Sequence, residues 1–161
     1  MTTAVLIAAT VAQGLAAGTF AQYSHTIMPA LAGTDDRTFV ASFQAIDRRI
    51  INPWFIVGTF LGALGLTAAA AFVNRGESSN RWVIAALVSY VLVVVITAAV
   101  HVPLNDAIKA AGDPDRIDTH AVRAAFRELR WARWNLIRTA LSLGAFVAMT
   151  WALVDHGRTS V

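Results

Sequence analysis

Residues 82–106 read WVIAALVSYVLVVVITAAVHVPLND, and up to Val102 the run holds no carboxylate, lysine or arginine. So β-branched a segment is a poor helix former in water. In a bilayer the unpaired backbone leaves it no other choice. At about 1.5 Å per residue its length matches the ~30 Å hydrocarbon core. It predicts a membrane-spanning helix over residues 82–102, and that helix fixes the class of the whole chain.

Three further stretches of this kind flank it. Residues 3–22 carry no charge and contain Gly14 and Gly18; residues 53–73 contain Gly58 and Gly62; residues 135–154 carry Arg138 one turn in. Both glycine pairs have the spacing of close helix packing. The uncharged Met-Thr-Thr start argues against a cleaved leader. The expectation is an all-α integral membrane protein, a single membrane domain over residues 1–161, built as a four-transmembrane-helix bundle. Composition agrees: 57% of the 161 residues are hydrophobic and 14% charged. The chain has no cysteine, which excludes disulfides, thiol redox and thiolate metal sites.

The connections differ in kind. Residues 74–81 form a short polar turn with Gly76 and two serines. Residues 35–51 read as an amphipathic helix with Thr34 as cap and Phe39, Phe43, Ile46 and Ile50 on one face. Asn52-Pro53 ends it. Residues 114–134 read as a second such helix, with Asp113 as cap and Pro114 at its first position, running on without a break into the fourth span. Most Lys and Arg fall between the spans on the side of these two connections: Arg37, Arg48 and Arg49 in residues 23–52; Lys109, Arg116, Arg123, Arg127, Arg130 and Arg133 in residues 103–133. The positive-inside rule then places both connections in the cytoplasm and both termini outside the inner or plasma membrane. It also accounts for the basic pI without nucleic acid.

The two halves look alike. Each has a span ending near a histidine and a proline (His25 and Pro29; His101 and Pro103), then an Asp-Arg pair, an amphipathic helix and another span. Two parallel helix-pair repeats would gather His25, His101, Asn52, Asn135 and Arg138 at one end of the bundle. Trp131, Trp134, Asn135 and Arg138 follow at i, i+3, i+4 and i+7, which puts them on one helical face. Each has a plainer reading. Arg138 could snorkel to the interface, the two tryptophans could belong to an aromatic belt, and Asn105 and the histidines could cap or turn the chain. His120 and His156 read as solvated.

The combination HVPLND, a charged helix, and W-x-x-W-N-x-x-R-T opening the last span resembles the anthrone-oxygenase-like family, small four-helix membrane proteins of which many have no assigned substrate. The resemblance implies oxidation of a lipophilic, anthrone-type aromatic with molecular oxygen, assisted by a base and without a defined cofactor. It implies His101 as the base with His25 second; Arg138, Asn135 and Asn105 as donors to an oxyanion; and Trp131, Trp134 and Asn52 around the substrate. Two other readings stand beside it. One is a haem- or copper-binding redox protein using His25 and His101 as ligands. The other is a non-catalytic lipophile-binding or transport protein, which with four spans would work as a homo-oligomer. The expected partners are the lipid bilayer and a lipophilic small molecule.

Overall fold

The computed structural model describes residues 2–159, which are predominantly helical, with no strand among them. Four helices are long and apolar enough to cross a membrane: α1 (Thr2–Ala32), α3 (Trp54–Val73), α4 (Asn80–Ala110) and the last, which continues from α5 (Thr119–Phe126) into α6 (Glu128–Thr159). Helix α2 (Asp36–Ile50) lies in the first long connection. Around the bundle the neighbours run α1, α3, α4, α6 and back to α1.

Between apolar helices in lipid the hydrophobic drive is absent, so close approach and interhelical hydrogen bonds hold the bundle. Along α1 the buried residues Leu6, Ala9, Gln13, Ala16, Phe20 and Tyr23 alternate steps of three and four, with Ala9 and Ala16 as the small positions of the seam. At Gly14 a Cβ would stand 3.1 Å from the Phe146 ring. The buried Gln13 donates to Thr67 Oγ1 across to α3 at 3.0 Å, a bond worth roughly 0.6–2 kcal/mol in this setting.

A second layer covers one end of the bundle. Met28, Leu31, Phe39, Phe43, Ile108, Phe126 and Trp131 form its core, with Phe43 and Phe126 rings 4.5 Å apart. Burying each large side chain contributes on the order of 1.5–3 kcal/mol. Gln44 ties α2 to the end of α4 by donating to the carbonyls of Ile108 (2.8 Å) and Gly112 (3.0 Å). Arg123 donates to the carbonyls of Thr34 (2.8 Å) and Ala32 (3.2 Å), closing the end of α1.

Several expected boundaries move. The first and third apolar helices run past the hydrocarbon length, to Ala32 and Ala110, because their ends find this second core to pack on. Asp35, not Thr34, caps α2 by accepting from Thr38 N at 2.9 Å; Thr34 instead bonds back to Leu31 O. The second long connection is not one helix from Pro114. Asp113 closes a turn by accepting from Asp115 N, and α5 starts at Thr119 with Asp118 as its cap. At Arg127 the backbone turns left-handed (φ 56°) and breaks the helix before α6.

Three π-helical stretches sit at the covered end: Tyr23–Ile27 in α1, Trp54–Phe60 in α3 and Thr97–His101 in α4. In α1 and α4 a proline, Pro29 or Pro103, follows two residues later. A proline ring crowds the carbonyl four residues back and donates nothing to it; widening the preceding turn relieves both. In α3, Gly62 follows the stretch, and a Cβ there would stand 2.8 Å from the Val57 carbonyl oxygen. This glycine serves its own helix rather than a neighbour. Isolated π turns of this sort concentrate at functional sites.

Candidate functional site

The three π stretches surround one cavity of about 230 Å³ between the bundle and the covering layer. Its walls are largely apolar. Helix α1 supplies Phe20 and Tyr23, α3 supplies Phe55, Ile56 and Phe60, α4 supplies Thr97, His101 and Asn105, and α6 supplies Trp131 and Arg138. The volume lies just under the ~300–1,000 Å³ usual for small-molecule pockets. It suits a compact ligand.

His101 is 1% exposed, and neither ring nitrogen has a hydrogen-bond partner of good geometry. Its ring meets Trp131 edge to face at 4.9 Å. A buried imidazole that caps nothing retains a lone pair for a ligand proton. Arg138 is buried as well and does not snorkel. It donates to Thr97 Oγ1 (3.1 Å) and Asn135 Oδ1 (2.7 Å) and lies over the Phe20 ring at 4.5 Å. Among the described residues no carboxylate pairs with it. The remaining N–H groups of its fork are uncommitted. Asn135 is fixed in turn by donating to Phe20 O (3.0 Å) and Ser24 Oγ (2.7 Å).

A chain of polar contacts crosses the cavity wall. Trp131 Nε1 donates to Asn105 Oδ1 (2.8 Å), and Asn105 Nδ2 donates to Asp47 Oδ1 (2.6 Å). Lys109 pairs with the other oxygen of Asp47 (2.9 Å) and with Asp106 (3.1 Å). Trp131 is thus a buried, oriented wall and not part of an interfacial belt.

A family model described as anthrone oxygenase matches residues 50–148. The chain belongs to the anthrone oxygenase family. No curated protein and no solved structure matched it. In this anthrone oxygenase family member the match takes in His101, Asn105, Trp131, Asn135 and Arg138, whereas α1 and nearly all of α2 precede it. Phe20, Tyr23 and Asp47 therefore complete the cavity from outside the matched region.

The structure brings together His101, Asn105, Trp131, Asn135 and Arg138. It does not bring in His25, Asn52 or Trp134. His25 is exposed and bonds to its neighbour Thr26 at 2.6 Å. It shares no site with the buried His101 through which the two could hold haem or copper. Among the described residues no group of three or more His, Asp or Glu side chains is placed to hold a metal ion. Asn52 caps the start of α3 by accepting from Phe55 N (3.0 Å) and donates to Arg49 O (2.8 Å). Trp134 is half-buried and lines no part of the cavity. The inward stripe of α6 runs Trp131, Asn135, Arg138 in steps of four and three, which leaves Trp134 about 60° to one side of Trp131. His120 lies 2.9 Å from Asp36 in the covering layer and His156 lies 3.0 Å from Thr3 Oγ1.

Sequence reasoning missed Tyr23, Asp47 and Lys109. Asp47 carried a signal: it is a carboxylate one step along α2 from Ile46, close enough to the apolar stripe to be drawn inward.

Proposed function

We propose that the protein binds a lipophilic, anthrone-type aromatic in this cavity and oxidises it with molecular oxygen. One observation carries the reading: His101, whose ring nitrogens make no side-chain hydrogen bond, and Arg138, which pairs with no carboxylate among the described residues, are buried against the same aromatic-walled space. They are linked through the Thr97–His101 stretch. Both oxygens of Asp47, a buried carboxylate in the wall, are already engaged by Asn105 and Lys109, so His101 is the better base.

The chemistry needs no other group. His101 takes a proton from the CH₂ opposite the ketone, and Arg138, held in place by Asn135, stabilises the charge that develops on the ketone oxygen. The electron-rich enolate gives an electron to O₂, and a carbon–oxygen bond forms on the former CH₂. The proton held by His101 goes to the peroxide. Loss of the second C–H proton together with hydroxide leaves a carbonyl. One O₂ is consumed and one water released. Trp131 and Tyr23 flank the rings. By the distribution of Lys and Arg, the covered end faces the cytoplasm and both termini lie outside.

The test is O₂ uptake and quinone absorbance with an anthrone, using detergent-purified protein. His101→Ala is expected to reduce turnover by roughly 10²–10⁴-fold. Undiminished turnover in that variant would remove His101 from the mechanism.

A further inference from the structure

We propose that the cavity opens sideways into the bilayer, between α3 and α4, and that its ligand arrives from the lipid through a gap bounded by Ile51 and Val102. The proposal rests on reading the cavity as the site of a membrane-dissolved lipophile. Over their halves away from the covering layer, α3 and α4 pack together. At the covered end they part: Trp54–Phe60 packs on α1 and has no more than sparse contact with the Thr97–Ala110 part of α4.

Two residues mark the opening. Ile51, at the corner between α2 and α3, is 54% exposed, and Val102, on α4, is 46% exposed; both also line the cavity. A residue that faces the cavity and the outside at once belongs to its mouth. The outer surface beside it is apolar, with Trp54 75% and Val57 64% exposed, which suits acyl chains and not water. An interfacial tryptophan such as Trp54 places this surface at the edge of the hydrocarbon. Along α4, Val102, Asp106 and Lys109 follow at i, i+4 and i+7, and all three line the cavity. The gap therefore runs from an apolar edge to a charged edge along one helical face. Its ligand class is a bilayer amphiphile, with its apolar body at Ile51 and Val102 and a polar end towards Lys109 or Arg138.

The experiment uses the full chain in lipid nanodiscs, with Trp131 as the sole tryptophan and phospholipids carrying bromine on the acyl chains as contact quenchers. Trp131 is 2% exposed, so only molecules inside the cavity reach it. Its emission is expected to be more than halved in brominated lipid, and Ile51→Phe with Val102→Phe is expected to restore most of it. A protein retaining only Trp54 reports whether the brominated chains quench an exposed ring. Quenching of Trp54 with unchanged Trp131 would overturn the proposal, as would quenching of Trp131 by aqueous iodide alone. Quenching does not depend on turnover. If His101→Ala stays fully active while Trp131 is still quenched, the reaction assignment fails and the gap stands.

Discussion

Replacing Arg138 by methionine separates a functional cation from a structural one. The guanidinium donates to Thr97 and Asn135 and stacks on Phe20. Hydrogen bonds from a charged group contribute about 1.5–3 kcal/mol each, and a desolvated cation–π contact about 2, for a gross gain of roughly 5–8 kcal/mol. Against this stands the removal of an unpaired charge from water, which costs several kcal/mol even after relaxation. The two nearly cancel. Methionine keeps most of the stem's packing and demands no desolvation, so Arg138→Met is expected to change unfolding free energy by less than about 2 kcal/mol. Turnover behaves differently, because a donor aimed at a developing oxyanion is worth about 10²–10³ in rate. Denaturant titration in mixed micelles gives the first quantity, and O₂ uptake with an anthrone the second. A variant that loses more than about 4 kcal/mol of stability, or one that keeps its turnover, would refute the reasoning: in the first case Arg138 holds the bundle, in the second it does nothing to the oxyanion.

Other outcomes follow from the same contacts. Asp47→Ala removes the shared partner of Asn105 and Lys109, although Lys109 keeps its ion pair with Asp106, and is expected to cost about 1–3 kcal/mol, read by the same titration; Trp131 emission should shift as its indole loses its fixed acceptor. Gly62→Ala drives a methyl against the Val57 carbonyl and is expected to cost about 1–3 kcal/mol, with amide exchange in Trp54–Phe60 accelerating, whereas Gly65→Ala, which meets nothing, should be silent. Asp36 is held below the usual carboxylate range, first by its bond to His120 and then by Arg123. A lowered folded-state value means that its contribution is present above the unfolded carboxylate value near ~4 and fades as pH falls through the folded one. The covering layer should loosen in acid, and Asp36→Asn should flatten that dependence in a pH series of α2 amide exchange.

The four spans were legible because lipid makes hydropathy sufficient: a long uncharged run has one solution in a bilayer. The covering layer was half legible. The stripe Phe39, Phe43, Ile46, Ile50 announced α2, but nothing local announced that α1 and α4 would extend to meet it, since their tails gain stability only from contacts made far along the chain. The break at Arg127 was illegible for a related reason. Arginine has no preference for a left-handed backbone, so tertiary packing of Phe126 and Trp131 imposes it. Within the site, Trp131, Asn135 and Arg138 were readable from helical spacing, and Asp47 was hidden because its partners Asn105 and Lys109 lie on another element.

The pairing of His25 with His101 fails for a reason that also explains the site. In a register that sets Pro29 against Pro103, the two π stretches also correspond, Tyr23–Ile27 with Thr97–His101. In that register the counterpart of His101 is Ile27, and His25, two residues earlier, points to the opposite side of the helix. The same backbone device occurs in both halves with different side chains on it. Where α1 places Tyr23, Ile27 and Leu31, α4 places Thr97, His101 and Asn105. Ile27 and Leu31 pack into the second core, while Thr97, His101 and Asn105 face the cavity and carry its polar contacts. The same device thus serves packing in α1, where Tyr23 alone of the three reaches the cavity, and presents three polar side chains to the cavity in α4.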